Sequence, residues 1–198
     1  MKYKNLIFDV GGIIFDDSKA KAAEFLGYES PDDENFRATY HKAFSGDFRE
    51  ALVGRKTIAE HLAKLREEAD YAQIQALLDP SRFDQSFPLL ADNYHAITAL
   101  RQQGYKLYIL SNMNAESAEY IRNCVALDQD FDGIVFSCEA GLAKPNPQIY
   151  QLITGRYHLN KAETIFFDDK ERNVIAARQS GIAAEIFTNM DDVTNALK

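Results

Sequence analysis

Residues 6–12 read LIFDVGG, in which three apolar residues precede Asp9 and two glycines follow Val10. Later in the chain, three apolar runs have the same form and end in polar residues: 107–110 before Ser111, 134–136 before Ser137 and 165–167 before Asp168. A weaker fifth run covers residues 184–187. Near-continuous apolar runs are typical of parallel strands that are covered on both faces, so the sequence predicts a parallel sheet.

Helical patterns lie between these runs. They cover residues 94–100, 145–153 and 171–179, with a glycine after the first and third and two prolines opening the second. Glycine commonly ends a helix, and proline is tolerated in a first helical turn. The alternation of strands and helices predicts the α/β fold class.

A long helical insertion follows the first strand. Residues 17–85 contain no strand-like run, and glycines and prolines divide them into helical patterns at 20–26, 32–44, 58–65 and 71–78. The sequence therefore predicts a core formed by residues 1–16 and 86–198, with a helical cap domain at 17–85. The two hinges are expected at Asp16-Asp17-Ser18 and at residues 86–88.

Composition excludes several classes of protein. The chain has 198 residues, of which 46% are hydrophobic, and its 30 acidic and 22 basic residues give a net charge of −8. Such a surface repels nucleic acid phosphates and anionic lipid, and no apolar run approaches the ~20 residues that span a bilayer. We expect a cytoplasmic monomer or homodimer that binds neither nucleic acid nor membrane. Cys124 and Cys138 are expected to be buried, reduced thiols, because their spacing indicates neither a disulfide framework nor a zinc site.

Polar residues end three of the predicted strands: Asp9, the pair Ser111-Asn112, and the pair Asp168-Asp169. Ligands of open parallel sheets bind beyond the carboxyl ends of the strands, so these side chains should converge. A single aspartate after a strand is most often a helix cap or a turn residue. Three strand ends with complementary chemistry indicate a functional site.

The acidic residues of this set predict a magnesium site. Asp168 and Asp169 are adjacent, so their carboxylates repel one another unless a cation neutralises them, and Mg²⁺ prefers hard oxygen ligands. Asp9 adds a third carboxylate. Beside such an ion, a carboxylate can also act as the nucleophile toward phosphorus and form an aspartyl-phosphate.

The remaining residues of the set predict a phosphoryl-binding site. Ser111 and the backbone N–H of Asn112 would donate hydrogen bonds to the transferring phosphoryl group. Lys144 would balance its remaining negative charge, with Pro145 fixing the backbone just after it.

The sequence resembles the haloacid dehalogenase-like (HAD) hydrolase superfamily over its whole length. The resemblance is carried by four motifs in family order: Ile7-Phe8-Asp9-Val10-Gly11-Gly12, Leu110-Ser111-Asn112, Lys144-Pro145, and Phe166-Phe167-Asp168-Asp169 followed by Asn173. It implies a Rossmann-like core with an inserted helical cap of the C1 type. It also implies these roles: Asp9 as nucleophile and Mg²⁺ ligand, Ser111 and Asn112 as phosphate ligands, Lys144 as the charge-stabilising residue, and the Gly11 carbonyl, Asp168 and Asp169 as the rest of the metal site.

One position departs from the family pattern. Most phosphatases of this superfamily have a second aspartate two residues after the nucleophile as general acid and base, and here that residue is Gly11. Asp16, His41 and His61 are conceivable substitutes, although surface or packing roles explain each of them better. Similar glycine-containing motifs occur in a branch that resembles sugar-1-phosphate phosphatases, which favours a small phosphorylated metabolite such as a sugar phosphate as substrate.

Two alternatives to a magnesium-dependent phosphatase remain open. A haloacid dehalogenase would use Asp9 to displace halide from carbon without a metal, but would gain nothing from adjacent carboxylates at 168 and 169. A catalytically weak member that binds a phosphorylated metabolite or another protein is suggested by Gly11.

Overall fold

The computed structural model describes residues 2–198 and contains one five-stranded parallel sheet. The strands are β1 Asn5–Phe8, β2 Lys106–Ser111, β3 Gly133–Phe136, β4 Thr164–Asp168 and β5 Ala183–Ile186. Their order across the sheet is β3-β2-β1-β4-β5, so β1 is central. Phe8 pairs with Ile109 on one side and Phe167 on the other, which aligns the ends of β1, β2 and β4. The predicted parallel sheet and α/β class are confirmed.

Helices fill both the connections between strands and the insertion. They are α1 Lys19–Phe25, α2 Glu34–Ala43, α3 Asp47–Ala51, α4 Ile58–Lys64, α5 Tyr71–Leu78, α6 Phe83–Ser86, α7 Ala91–Ala99, α8 Ala115–Cys124, α9 Leu127–Asp130, α10 Ser137–Ala140, α11 Pro147–Arg156, α12 Glu171–Gln179 and α13 Met190–Ala196. Short 3₁₀ turns cover Pro80–Arg82, Leu100–Gln103 and Lys161–Glu163. Within residues 2–198, no helix is long and apolar enough to cross a membrane.

Both faces of the sheet are buried, as the continuous apolar runs require. In β1, Leu6 and Phe8 pack into one apolar cluster while Ile7 packs into a second cluster on the opposite face. The same alternation holds in β4, where Phe167 and Phe166 lie in different clusters. Successive side chains of a strand point to opposite faces, so an uninterrupted apolar run is needed wherever helices cover both.

The inserted helices have an apolar cluster of their own. Its buried members come only from residues 22–78, and the largest fully buried ones are Phe36 and Ile74. Side chains cap the helix starts, since Ser18 accepts from the Lys21 N–H and Thr57 forms a capping box with Glu60.

The chain enters and leaves the insertion through two adjacent segments. Phe15 forms an antiparallel bridge with Leu89, and the N–H of Asp16 donates to the carbonyl of Pro88 over 2.9 Å. These contacts lie beside the two predicted hinges.

The inserted helices also contact the core directly. Gly54, with φ of +69°, approaches Cys138 so closely that an added Cβ would lie 2.3 Å from its carbonyl oxygen. The Ser137 hydroxyl donates to the carbonyl of Leu52, and the N–H of Ile58 donates to Glu116 over 3.3 Å. The insertion is therefore docked over the carboxyl edge of the sheet. The expectation of two buried thiols is wrong, because Cys124 is exposed near the end of α8 and Cys138 is only partly buried.

Candidate active site

The predicted site residues meet at the carboxyl edge of the sheet. Asp9 follows β1, Ser111 and Asp168 are the last residues of β2 and β4, and Asp169 follows directly. Carboxylate oxygens of Asp9, Asp168 and Asp169 all lie within 4.8 Å of one another. The common register of the three strands produces this cluster from positions that are far apart in sequence.

Lys144 lies inside the acidic cluster and is only 3% exposed. Its Nζ is 2.8 Å from Asp9 Oδ2 and 2.6 Å from Asp168 Oδ2. The Asn112 side chain holds the Lys144 backbone from both directions, accepting from its N–H over 2.7 Å and donating to its carbonyl over 2.8 Å. Buried carboxylates are tolerated only when paired, so this lysine makes the arrangement possible.

Asp9 is held as an ionised carboxylate. Burial alone would raise its pKa, but the charges of Lys144 and Lys170, with hydrogen bonds from Lys144 and Ser111, outweigh that cost and bring the pKa below its ordinary value. The N–H of Val10 also donates to Asp9 Oδ1 over 2.7 Å. An ionised carboxylate with a fixed orientation is the state that a nucleophile requires.

Asp168 is a fully buried anchor. Its Oδ1 accepts from the Lys170 N–H at 2.8 Å and from Asn173 Nδ2 at 2.9 Å, while Oδ2 accepts from Lys144. Burial and the nearby charge of Asp9 raise its pKa, although Lys144 opposes the rise. Both oxygens of Asp168 therefore already accept hydrogen bonds, and its Oδ2 orients the ammonium group of Lys144.

Asp169 carries the unsatisfied oxygen of the cluster. Its Oδ1 is buried and receives no hydrogen bond, and the Lys170 ammonium lies 3.7 Å away. Burial raises its pKa to about 6, with Lys170 opposing the rise and neighbouring carboxylates adding to it. Gly12, at φ +73°, leaves room for this carboxylate, because an added Cβ would lie 2.9 Å from Asp169 Oδ2.

Lys170 and Asp17 also lie at the site, although the sequence analysis did not predict either of them as a site residue. The Lys170 ammonium lies 3.3 Å from Asp17. Burial by itself would lower the pKa of Lys170, but the negative charges of Asp17, Asp9 and Asp169 outweigh this effect, and the pKa lies above its ordinary value. Burial likewise raises the pKa of Asp17 against the effect of Lys170. A lysine directly after Asp168-Asp169 was the available sequence signal, since a carboxylate pair needs a counter-charge.

The three conceivable substitutes for the missing acid lie elsewhere. Asp16 accepts a hydrogen bond from the Ser18 N–H before α1, and His41 is exposed on α2. His61 is buried inside the insertion, with Nε2 2.9 Å from the carbonyl of Ala43. None of the three lines the cavity above Asp9.

That cavity has a volume of about 320 Å³ and lies between the sheet edge and the insertion. Asp9, Ser111, Asn112 and Lys144 line its core side. Aromatic and aliphatic side chains of the insertion, including Phe44, line the other side. The cavity therefore joins a charged end to an apolar end.

The fold and the acidic cluster together are typical of an α/β enzyme and place a candidate reaction centre at the carboxyl edge of the sheet. A family model described as haloacid dehalogenase-like hydrolase matches residues 3–181. The chain belongs to this hydrolase family, as the sequence motifs predicted.

Individual relatives agree with this assignment. The D-ribitol-5-phosphate phosphatase of Bacteroides thetaiotaomicron is 30% identical over 190 residues, which cover 90% of this chain and 88% of that protein. Acyl-CoA dehydrogenase family member 10 of Mus musculus is 28% identical over 194 residues, covering 91% of this chain but only 17% of that protein. A HAD family enzyme from Bacteroides thetaiotaomicron, in complex with magnesium and inorganic phosphate, has the same fold, with a TM-score of 0.75 and 23% identity over 99% of this chain and 100% of that one.

Proposed function

We propose that this protein is a Mg²⁺-dependent phosphatase that hydrolyses a small phosphorylated metabolite through an aspartyl-phosphate on Asp9. The observation that carries the proposal is the buried, unsatisfied oxygen of Asp169 beside an ionised Asp9 that is paired with Lys144. The D-ribitol-5-phosphate phosphatase supports a phosphomonoester substrate.

The charge of the site and its surroundings fits a divalent cation. Four carboxylates, Asp9, Asp17, Asp168 and Asp169, face two lysines, Lys144 and Lys170, which leaves two negative charges when all are ionised. The raised pKa values of Asp169 and Asp168 have the same physical origin, because burial and mutual repulsion penalise their ionised forms.

Asp9, Asp169 and the backbone carbonyl of Gly11 would hold the ion, and Asp168, whose two oxygens are already hydrogen-bonded, would add its negative charge from its buried position. Bound there, Mg²⁺ supplies charge neutralisation between the nucleophile and the phosphoryl oxygens. The magnesium complex of the structural relative supports this choice of ion.

The residues of the chain divide the remaining work. An oxygen of Asp9 forms a bond to phosphorus while the ester P–O bond breaks, and the departing oxygen takes a proton to leave as an alcohol. Lys144 holds Asp9 in place, while Ser111 and the N–H of Asn112 bind the phosphoryl oxygens. Water then attacks phosphorus, which regenerates Asp9 and releases phosphate.

We also propose that residues 17–85 act as the cap domain of a core formed by residues 1–16 and 86–198. The separate apolar cluster of the insertion supports this division, and so do the paired connecting segments around Phe15 and Leu89. A docked cap excludes bulk water from the reacting group. Whether the protein is a monomer or a homodimer stays a prediction.

The charge of the site argues against a dehalogenase. Displacement of halide by a carboxylate needs no metal, and a metal-free site would leave the buried Oδ1 of Asp169 without a hydrogen-bond donor. A catalytically silent protein is the other alternative, and it has no need for the paired, ionised Asp9.

One experiment separates these functions. Phosphate release is measured from a panel of phosphorylated metabolites that includes sugar phosphates, with Mg²⁺ or with a chelator, alongside halide release from 2-haloacids. We expect Mg²⁺-dependent phosphate release that Asp9→Asn abolishes while the circular dichroism spectrum is unchanged. Metal-independent halide release, or phosphate release that survives Asp9→Asn, would overturn the proposal.

A further inference from the structure

The residues that line the apolar end of the cavity indicate which chemical class of substrate it can hold. Phe44 and Leu52 line it from the residues directly after α2 and α3, Phe48 lines it from α3, and Leu78 lines it from α5. Phe87 and Met113 continue the same surface on the core side. Most of the charged residues that line the cavity, Asp9, Lys144 and Lys170 among them, lie at the sheet edge, where the phosphoryl group binds.

The cations of the insertion do not reach this cavity. Lys56 and Lys64 pair with Asp47, and Lys42 pairs with Glu68 and Asp70. Lys19, Arg37 and Arg49 line a different pocket. The insertion therefore offers no cation for an anionic or phosphorylated tail, and Arg172, a further cation that lines the cavity, belongs to the core helix α12.

We propose that the alcohol released by this enzyme is apolar, so that its preferred substrates are alkyl, aryl or terpenoid phosphomonoesters and not phosphates of polyols. This inference rests on the proposed phosphatase activity. Ser18, Tyr40 and Ser86 also line the cavity, but polyol hydroxyls that lie against Phe44, Phe48 and Leu78 would have no hydrogen-bond partner there. An apolar chain gains by leaving water at the same surface.

The test compares kcat/KM for hexyl phosphate and D-ribitol 5-phosphate, with acetyl phosphate as a small reference substrate. We expect hexyl phosphate to be preferred by at least about 10-fold, the range that apolar pocket contacts provide. A preference for the polyol phosphate would overturn this inference alone. Absence of Mg²⁺-dependent phosphate release from every substrate, acetyl phosphate included, would instead overturn the proposed phosphatase.

A pair of variants locates the preference. Phe44→Ser should lower the ratio of kcat/KM for hexyl phosphate to that for acetyl phosphate about 10-fold, because only the longer substrate reaches this wall. Phe25→Ser is the control, since Phe25 packs against the same apolar cluster but does not line the cavity. Equal losses in both variants, or an unchanged preference in Phe44→Ser, would contradict the assignment.

A second, independent observation concerns the proton-transfer group that Gly11 lacks. A Cβ built on Gly11 would lie 2.4 Å from Asp17 Oδ2 and 2.8 Å from Asp17 Cγ. Ordinary bond lengths place the carboxylate oxygen of an aspartate about 2.4 Å from its own Cβ. The carboxylate of Asp17 therefore occupies the space that an acidic side chain at position 11 would fill.

The surroundings of Asp17 suit contact with a substrate. It lines the same cavity as Asp9, and its side chain is part-exposed there. Asp17 precedes α1 on a connecting segment, but Lys170 of the core fixes its carboxylate, with Nζ 3.3 Å from Asp17 Oδ2.

We infer that Asp17 is a catalytic residue that performs the proton transfers of the proposed reaction. In the first step the protonated carboxyl gives its proton to the ester oxygen as the P–O bond breaks. In the second step the carboxylate takes a proton from the water that attacks the aspartyl-phosphate, so protons balance over one turnover.

Leaving-group dependence tests this role, because a good leaving group departs without a proton. For Asp17→Asn, we expect kcat/KM to fall about 10²–10⁴-fold with an alkyl phosphate and less than about 10-fold with 4-nitrophenyl phosphate. Asp16→Asn is the control. Asp16 is the residue next to Asp17, but its carboxylate caps the turn before α1 and lies outside the cavity. Equal losses with both substrates, or no loss with either, would overturn the role.

A position swap provides a second measurement. The double variant Gly11→Asp, Asp17→Gly moves the carboxylate to the other backbone position while keeping its place in the cavity. We expect it to recover at least about 10-fold of the alkyl phosphatase activity that Asp17→Asn loses. A folded double variant that recovers no alkyl phosphatase activity would contradict the inference that Asp17 fills the space of an acidic side chain at position 11.

Discussion

Replacing Asp169 with asparagine should stabilise the metal-free protein. Burial raises the pKa of Asp169 from 3.8 to about 6, so the folded chain binds protons more tightly than the unfolded chain between these values. Stability associated with this group is therefore present at low pH and is lost as pH rises from about 4 to 6. At pH 8 the cost of ionising Asp169 reaches about 3 kcal/mol as an upper figure, at 1.36 kcal/mol for each unit of pKa.

Asparagine removes the charge and keeps the shape. Because the Asp169 side chain is 28% exposed, water reduces the gain, and we expect Asp169→Asn to add about 1–3 kcal/mol at pH 8. For a chain of this size, each kcal/mol raises the midpoint of thermal unfolding by about 2–4 °C. The gain should shrink between pH 6 and pH 4, where wild-type Asp169 becomes protonated.

The assay is thermal unfolding of both proteins with a chelator or with millimolar Mg²⁺. Mg²⁺ should raise the midpoint of the wild type, since a ligand that binds only the folded state stabilises it, and should have little effect on Asp169→Asn. Asp32→Asn is the control, because it removes the same charge from an exposed position. A metal-free Asp169→Asn that is no more stable than the wild type, or that keeps the full Mg²⁺ response, would show that Asp169 is neither a destabilising charge nor a metal ligand.

Two further variants test how the site is held together. Lys144→Met should destabilise the protein by about 3–5 kcal/mol in urea unfolding and abolish turnover, because it leaves Asp9 and Asp168 buried without their shared cation; unchanged stability would show that the pairing is unimportant. Gly54→Ala should lower kcat/KM about 10- to 100-fold and increase proteolysis of the segments joining the insertion to the core, because its Cβ would meet the Cys138 carbonyl at 2.3 Å. Gly27→Ala is the matched control, since Gly27 also has positive φ but its Cβ would meet nothing within 4 Å, and equal effects in the two variants would contradict docking at Gly54.

The sheet and the acidic cluster could be predicted because both depend on local signals. A short apolar run predicts each strand, and parallel strands place their carboxyl ends at one edge of the sheet. Asp9, Ser111 and Asp168 therefore had to meet once the sheet was predicted. Asp169 lies beside them because it directly follows Asp168, whereas Lys144 was predicted from the need to balance negative charge, and its Nζ contacts Asp9.

The roles of Asn112 and Asp17 could not be predicted from local patterns. Asn112 was expected to bind phosphate through its N–H, and nothing near it in sequence indicates that its side chain holds the backbone of Lys144, 32 residues away. Asp17 was expected only as part of a hinge, because its approach to Gly11 depends on the path of the chain between β1 and α1. Contacts set by long-range packing leave no periodic signal in the sequence.

The docking of the insertion was equally hidden. Gly54 was interpreted only as a break between helices, whereas its close approach to Cys138 depends on how the insertion packs on the core. Cys124 is exposed for a related reason, because it lies at the last turn of α8, on a side that neither sheet cluster covers.

The most direct test of the whole account is to look for a phosphoryl group on Asp9 during turnover. The enzyme is mixed with Mg²⁺ and a phosphorylated substrate, quenched with acid within milliseconds, and digested for peptide mass mapping. The account predicts a hydroxylamine-sensitive phosphoryl group on the peptide containing Asp9, absent from Asp9→Asn and from samples quenched after substrate is exhausted. Phosphate release at full rate without a phosphoryl group on Asp9, or with one on a different residue, would contradict it.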